Sequence, residues 1–397
     1  MAAERSPTDS TSDSDPKTGL ARLKAGPGFL FGERWVRLRN RLLADARFHR
    51  FAADFPLTAW LARKRSREVF DLAAGFVYSQ VLLACLKLEV FEALSGPAQE
   101  TAELARRFDL SMSATRRLLE AAAALRLTQK MGPDLWSLGD LGAALMGNPG
   151  GLAMIAHHPM LYTDLADPVA LLKGESRPTE LERFWAYATA DDRGDLNTSA
   201  TDAYTRLMAD SQSLIADDIL DAYPVGQHHR LLDVGGGEGV FLSAALGRAG
   251  GLKGTVFDLP SVVARAAERL DGAGLGSRAE TVGGDFTADA LPSGHDLISL
   301  VRIVHDHDDD VVAGLLARVR AALPEGGTLL LAEPMAGTPG AEAMGAAYFG
   351  FYLMAMGSGR PRTEGELTAM LRRAGFATVT PLKTRRPLLT SVLVARP

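Results

Sequence analysis

Several short stretches in the second half of the chain carry residues with chemistry to offer. The first is Leu231-Leu232-Asp233-Val234-Gly235-Gly236-Gly237-Glu238-Gly239. An apolar run that ends in a glycine turn reads as a strand entering a helix. Its glycines let backbone approach a ligand closely. Gly235, Gly237 and Gly239 give G-x-G-x-G, whereas a dinucleotide fingerprint needs glycine at 240, where Val240 stands. Nicotinamide and flavin cofactors are therefore disfavoured. Alone, such a turn is as often structural as functional. Asp258 strengthens it, closing the next apolar run nineteen residues after Gly239. A carboxylate there can accept from both hydroxyls of a ribose. The third run ends in Gly284-Asp285-Phe286. Asp285 can accept from an exocyclic amine and Phe286 can stack on a purine. The bland alternative for Asp285 is a turn or cap residue.

Two further ends supply an acid–base pair. One reads Arg302-Ile303-Val304-His305-Asp306-His307 and the other Ala332-Glu333-Pro334. A histidine oriented by a carboxylate is the usual general-base arrangement. His305, His307 and the acids around them also offer metal ligands. The acidic run equally serves to start the next helix, so no metal is expected. The pairs His157-His158 and His228-His229 read as residues at segment boundaries without a special role.

These residues need a sheet to bring them together. Strands are expected at Arg230–Val234, Gly254–Phe257, Ala279–Val282, Asp296–Val304 and Thr328–Ala332. Helices are expected at Phe241–Gly247, Ser261–Leu270 and Asp309–Leu323. Alternating strands and helices predict an α/β fold, a doubly wound parallel sheet. Ligands bind such sheets at the carboxyl ends of the strands, where all the residues above fall.

The first half has another grammar. Residues 1–28 have the composition of a disordered tail. Residues 29–70 form a basic arm. Between 30 and 70 ten Lys/Arg stand against four Asp/Glu, interleaved with Trp35, Phe48, Phe51, Phe55 and Trp60. The pattern fits a membrane surface or a helical arm packed on protein. Residues 71–190 read as all-helical, with a long apolar helix over Phe70–Leu94. Next come Thr101–Phe108, a turn at Asp109–Met112, a helix over Ser113–Leu127 and a hairpin-like Thr128–Leu138. That is a winged-helix outline. The run Ala121–Ala124 and Glu120 on its third helix favour a dimerisation module over a DNA reader.

Composition narrows the classes. The chain has 397 residues, 47% hydrophobic and 23% charged, with a net charge of −5. That suits a globular protein able to bury a core and argues against nucleic acid. The single cysteine, Cys85, excludes an intramolecular disulfide and a cysteine-based metal site. No signal pattern opens the chain, so a cytoplasmic protein is expected. Leu72–Leu86 and Ala343–Gly359 are uncharged but interrupted, and read as buried helices or pocket walls.

LLDVGGGEG, FDLP, GDF, VRIVHD, LAEP, Arg362-Thr363-Glu364-Gly365-Glu366 and Ala374-Gly375-Phe376 stand in one order. With this set the chain from about Phe70 onward resembles the class I S-adenosylmethionine-dependent O-methyltransferases of the caffeic acid and acetylserotonin type. Within them it looks most like the bacterial hydroxyneurosporene (demethylspheroidene) enzymes of carotenoid biosynthesis. The cues are FHRFAADFPLT, GFVYSQVLLACLKLEVFEAL, RFWAYA and Tyr204–Met208 with Ser211-Gln212. The resemblance implies a Rossmann-like sheet over 191–397 behind a winged-helix-like dimerisation domain at 71–190. It implies S-adenosylmethionine as cofactor, held by Asp233, Gly235, Gly237, Asp258, Asp285, Phe286 and Arg302. It makes His305 the base, oriented by Glu333 and, from the R-T-x-x-E spacing, Glu366. The family reads HDW where this chain has His305-Asp306-His307, which leaves the local pocket shape open. A homodimer methylating the hydroxyl of a lipophilic acceptor is implied, most nearly a hydroxylated acyclic carotenoid, with the arm at 30–70 touching a membrane. A polyketide phenol or a bacteriochlorophyll precursor is the competing acceptor. A winged-helix regulator that senses S-adenosylmethionine is the reading from another class.

Overall fold

The computed structural model describes residues 27–185, 212, 214–387 and 389–397. The expected tail, the cue Tyr204–Met208 with Ser211, the end of RFWAYA and the expected boundary at 190 lie outside the described residues. The chain divides into two compact units, with the border at Tyr78 and Ser79.

The first unit is helical: α1 (Pro27–Ala44), α2 (Ala46–Asp54) and the first turns of α3 (Ala59–Lys87). Asp45 separates the first two. Its backbone is extended and its carboxylate accepts from the Arg47 amide at 2.7 Å, an N-cap that restarts the helix. Pro56 stops α2, since the residue before a proline is pushed out of the helical region. Most of this unit's large apolar side chains are exposed.

The second unit begins within α3. The long helix expected over Phe70–Leu94 starts at Ala59 instead and ends at Lys87. Glu89 adopts a left-handed φ of 54°, and a short α4 (Val90–Ala93) follows. Its apolar stretch is also less buried than expected: Leu83 and Cys85 are covered, while Leu72 and Phe76 stay 86% and 73% exposed. By length and composition α3 is long and apolar enough to cross a membrane. Then come β1 (Gln99–Glu100), α5 (Thr101–Arg107), α6 (Met112–Ala124), β2 (Thr128–Lys130) and β3 (Leu135–Leu138). The three strands pair in the order β1-β3-β2, so this region is a winged helix and not purely helical. Phe91, Leu94, Leu104, Leu119 and Trp136 form its core. The Trp136 indole donates to Thr101 Oγ1 at 2.9 Å, which satisfies a fully buried N–H. Cys85 belongs to that core. Burial pushes its thiol up to about 12, so it is inert.

Four helices lead on: α7 (Asp140–Met146), α8 (Pro149–Asp164), α9 (Pro168–Leu172) and α10 (Glu180–Phe184). The large sheet then has seven strands: β4 (Arg230–Val234), β5 (Lys253–Asp258), β6 (Ala279–Gly283), β7 (Leu297–Val301), β8 (Thr328–Glu333), β9 (Thr378–Leu382) and β10 (Ser391–Arg396). Their order is β6-β5-β4-β7-β8-β10-β9. β4 to β8 run parallel, as expected. β10 is antiparallel and inserts between β8 and β9. The helices α11 (Val240–Arg248), α12 (Pro260–Gly272), α13 (Asp309–Ala322), α14 (Gly350–Met356) and α15 (Glu364–Arg373) complete the domain. A π-helical turn, Ala343–Phe349, runs straight into α14.

β7 is three residues shorter at its end than the expected Asp296–Val304. Arg302 takes a left-handed φ of 59°, which ends the strand and turns Val304–Asp306 into a single helical turn. A non-glycine residue held there stores strain, as is common beside functional sites.

Candidate active site

The sheet reverses its order at β4, so the carboxyl ends of β4, β5 and β7 flank the crevice where such folds bind ligands. The glycine turn fills the end of β4. Gly235 has φ 68°, and a Cβ there would lie 2.5 Å from Ile303 Cδ1, so glycine is required. Gly237 has φ 57° and open space where its Cβ would be. Its amide donates to Asp258 Oδ2 at 2.8 Å, and the Leu259 amide donates to Asp258 Oδ1 at 2.7 Å. Asp258 thus ties the end of β5 to the turn. Burial raises its carboxyl above the ordinary value, partly offset by those two amides.

Asp233 points inside β4. Ser299 donates to its Oδ1 at 2.6 Å, while its Oδ2 is buried without a partner. Burial pushes this carboxyl up to about 7. Asp285 accepts from the Thr287 amide and hydroxyl at 2.8 and 2.7 Å, the turn arrangement anticipated as its bland alternative. Phe286 lies against the place a Gly235 Cβ would occupy and meets the His307 ring edge-on at 5.3 Å. His307 is buried where the family has tryptophan, so an aromatic edge is kept at that spot. An open glycine turn, a carboxylate tied to it and an aromatic ring beside it fit a nucleoside bearing a short charged chain.

At the ends of β7 and β8 the arrangement is tighter. Glu333 Oε1 accepts from the Ile303 and Val304 amides at 2.9 and 2.8 Å. Its Oε2 meets His305 Nδ1 at 2.5 Å. One carboxylate therefore holds both the turn and the imidazole. Asp306 Oδ1 lies 3.1 Å from the other ring nitrogen, Nε2. His305, Asp306 and Glu333 are all buried. Burial pulls the His305 pKa down, but Asp306 and Glu333 outweigh it, and the ring holds its proton above the ordinary 6.5. The Asp306 contact was not foreseen, although its place beside His305 was visible in the sequence.

Glu366 is elsewhere. Its carboxylate accepts from the Thr363 amide and hydroxyl at 2.8 Å and from Arg360 at 2.8 Å. Together Thr363 and Glu366 form a capping box at the start of α15. The R-T-x-x-E spacing that suggested an orienting acid here makes a helix cap. The same segment still serves His305. The Arg360 amide donates to the His305 carbonyl at 3.0 Å. The buried Arg362 donates to the carbonyls of Val304 and His307 and pairs with Asp309 at 2.7 Å. Arg362 thereby clamps the turn that carries His305, a role the sequence reading missed.

A cavity opens beside His305. It is small and lined by Arg302, His305 and Asp306 together with Met154, Trp185, Phe349, Tyr352 and Leu353. The wall hides its own polar atoms. The Trp185 indole donates to Tyr352 Oη at 3.1 Å, and Tyr352 Oη lies 2.8 Å from His157 Nε2. Burial lowers the His157 pKa to about 4, so its ring is neutral and accepts the tyrosine proton. Tyr348 Oη is likewise 2.8 Å from His158 Nε2. The pair His157-His158 is therefore not an idle boundary, as expected, but lies inside α8 and anchors two tyrosines nearly two hundred residues away. His228, by contrast, bonds Tyr223 and Asp296 at the foot of the sheet. Among the described residues no group of three His, Cys, Asp or Glu could hold a metal ion.

Comparison with known proteins gives a consistent set. Residues 162–377 match the O-methyltransferase domain model, and residues 70–148 match the O-methyltransferase dimerisation domain model. The chain is 42% identical to the demethylspheroidene O-methyltransferase of Rhodobacter capsulatus, over 91% of this chain and 89% of the relative. It is 32% identical to the acetylserotonin O-methyltransferase of Mus musculus, over 81% and 85%. Among solved structures it is similar to LaPhzM, with a TM-score of 0.69, 25% identity, and 84% and 99% of the two chains covered. Human N-acetylserotonin methyltransferase in complex with S-adenosylmethionine shares the fold, with a TM-score of 0.68, 22% identity, and 84% and 97% covered.

Proposed function

Because the chain belongs to the O-methyltransferase family, and so is an S-adenosylmethionine-dependent enzyme with a dimerisation domain, we propose that it methylates the hydroxyl of a hydroxylated acyclic carotenoid, with His305 as the base. The observation that carries the acceptor class is the 42% identity to the demethylspheroidene enzyme, and the side chains around the small cavity beside His305 accord with it. Met154, Phe349 and Leu353 there are apolar, and the Tyr352 hydroxyl and the Trp185 indole N–H are engaged with partners inside the protein. Such side chains suit a hydrocarbon body, and the polar groups of the lining suit a single hydroxyl.

Gly235, Gly237, Asp258, Asp285 and Phe286 would hold the nucleoside end of the cofactor, with Asp233 behind the turn and Arg302 toward the acceptor. Bound S-adenosylmethionine supplies an electrophilic methyl on a sulfonium. That methyl would go to the acceptor oxygen with the sulfonium leaving as a neutral thioether, and His305 Nε2 would take the hydroxyl proton. An aliphatic alcohol is far too weak an acid to ionise beforehand, so proton transfer accompanies attack. Glu333 holds Nδ1, which leaves Nε2 as the working nitrogen. The Asp306 carboxylate, 3.1 Å from Nε2, adds a negative charge that would stabilise the imidazolium as it forms. A base so placed contributes roughly 10²–10⁴-fold, and positioning in the dry cavity supplies the larger share, about 7–11 kcal/mol at best.

A carotenoid is dissolved in a bilayer, so the enzyme meets it as a cytoplasmic dimer at a membrane surface. The test is incubation with labelled cofactor and a panel of hydroxylated carotenoids, phenols and bacteriochlorophyll precursors. Methyl transfer to a hydroxycarotenoid is expected. Transfer confined to a phenol or a chlorophyll precursor overturns the acceptor. Cofactor binding with no transfer to any of them, together with salt-dependent DNA binding, turns the reading to a regulator.

A further inference from the structure

Along the arm, basic residues precede apolar ones in a fixed register. Arg34, Arg37 and Arg41 stand one position before Trp35, Leu38 and Leu42. Arg47 and Arg50 stand one position before Phe48 and Phe51. In α1, positions 35, 38 and 42 share one face, and the arginines form a strip about 100° round from it. α2 repeats the pattern after its Asp45 cap. The stripe is uncovered: Trp35, Phe51 and Trp60 are about 60% exposed or more (60%, 61% and 64%). Phe51 and Phe55 stack on each other at 5.6 Å, still open to water. The dimerisation match starts at residue 70, so it does not account for these side chains.

We propose that residues 34–67 dock on an anionic lipid bilayer. Trp35, Leu38, Leu42 and Phe51 enter the boundary between headgroups and acyl chains, and the flanking arginines meet lipid phosphates. The charge argument is direct. Between 30 and 70 the basic side chains exceed the acids by six in a protein whose net charge is negative. Aromatic rings bordered by guanidinium groups match the two layers of a membrane interface, apolar below and anionic above. Leucine faces of this width have no counterpart on a nucleic-acid backbone. The proposal rests on the membrane contact stated above and gives it a lipid class and named residues.

The full-length chain supplies its own probe. Trp136 and Trp185 are buried and Trp35 and Trp60 are exposed, so a blue shift of emission on adding lipid reports the arm. Vesicles of phosphatidylcholine alone are compared with an equal mixture of phosphatidylcholine and phosphatidylglycerol. We expect a blue shift and co-flotation with the mixed vesicles, at least tenfold tighter than with the neutral ones and weakened by salt. The triple change R34Q/R37Q/R41Q is expected to weaken binding about fivefold per arginine, roughly 100-fold in all. Cofactor affinity should not move. Equal partition into both vesicles overturns the proposal. So does an arm that ignores lipid while the triple change dissociates a larger oligomer in sedimentation, since a second copy is then the cover. Vesicle binding without methylation of any hydroxycarotenoid sinks the acceptor reading and leaves the arm. Methylation without vesicle binding does the reverse.

Discussion

The two corners of the catalytic crevice are built on different terms. At the β4–β5 corner, contacts run between backbone and carboxylates: Gly237 and Leu259 amides on Asp258, the Thr287 amide on Asp285. The Leu259 and Thr287 bonds are local, Gly237 reaches Asp258 across 21 residues, and one carboxylate oxygen, on Asp233, has no hydrogen-bond partner. At the β7–β8 corner the principal contacts span longer stretches of sequence. Glu333 grips His305 from 28 residues away, and Arg362 grips Val304 from 58. The difference teaches a division of labour. The first corner can tolerate adjustment, because a ligand will complete it. The second is complete within the protein, which suits the base proposed for His305, since a reacting group gains rate from being held in position beforehand.

His305→Ala is the harshest way to break the contrast. Turnover should fall about 10²–10⁴-fold, while calorimetry finds the cofactor bound as before; near-normal turnover refutes the base. Asp258→Asn attacks the other corner. Cofactor affinity should drop by about 1.5–3 kcal/mol, roughly 10- to 150-fold, with kcat restored at saturation. Lost kcat at saturation would mean that the corners are not independent.

Glu333→Gln sharpens the electrostatic side. The His305 pKa is raised, so the neutral ring that the proposed base role requires appears only as pH climbs past 6.5. The same raised pKa stabilises the fold below 6.5, and that stability is lost as pH rises through the folded value. Removing the Glu333 charge should move the rising limb of the pH–rate profile to lower pH and cut kcat about tenfold. A limb that stays in place assigns it to another group. Glu366→Ala should do least. It removes an exposed cap and ion pair, about 0.2–1 kcal/mol of stability in a melt, and leaves kcat within twofold. A tenfold loss of kcat would restore Glu366 as an orienting acid.

The sequence was readable where structure is local. β4, β5, β7 and β8 are largely apolar, buried runs closed by turn residues, β6 is a more polar edge strand, and the ends of this set delivered Asp258, Asp285 and His305 together. β9 and β10 lack that helix-separated rhythm and escaped notice. Glu366 shows another limit: one spacing satisfies both a capping box and an orienting acid, and only coordinates tell them apart. His157 and His158 show a third. Their partners, Tyr352 and Tyr348, are 195 and 190 positions away, and no pattern of period or spacing links such residues. Arg302 ends β7 through a backbone angle that residue type does not announce.

The insertion of β10 has a consequence in time. β8 carries Glu333, and its outer edge is covered by residues 391–396, with Ser391 opposite Glu333 itself. Until a ribosome has released residues 391–396, that edge is bare and Glu333 ends a half-paired strand. The nascent enzyme can therefore fold its winged helix and its glycine turn early, since domains form as they emerge. Among the described strands of this sheet β10 is the last in sequence, so the strand that carries Glu333 gains its outer partner after the others.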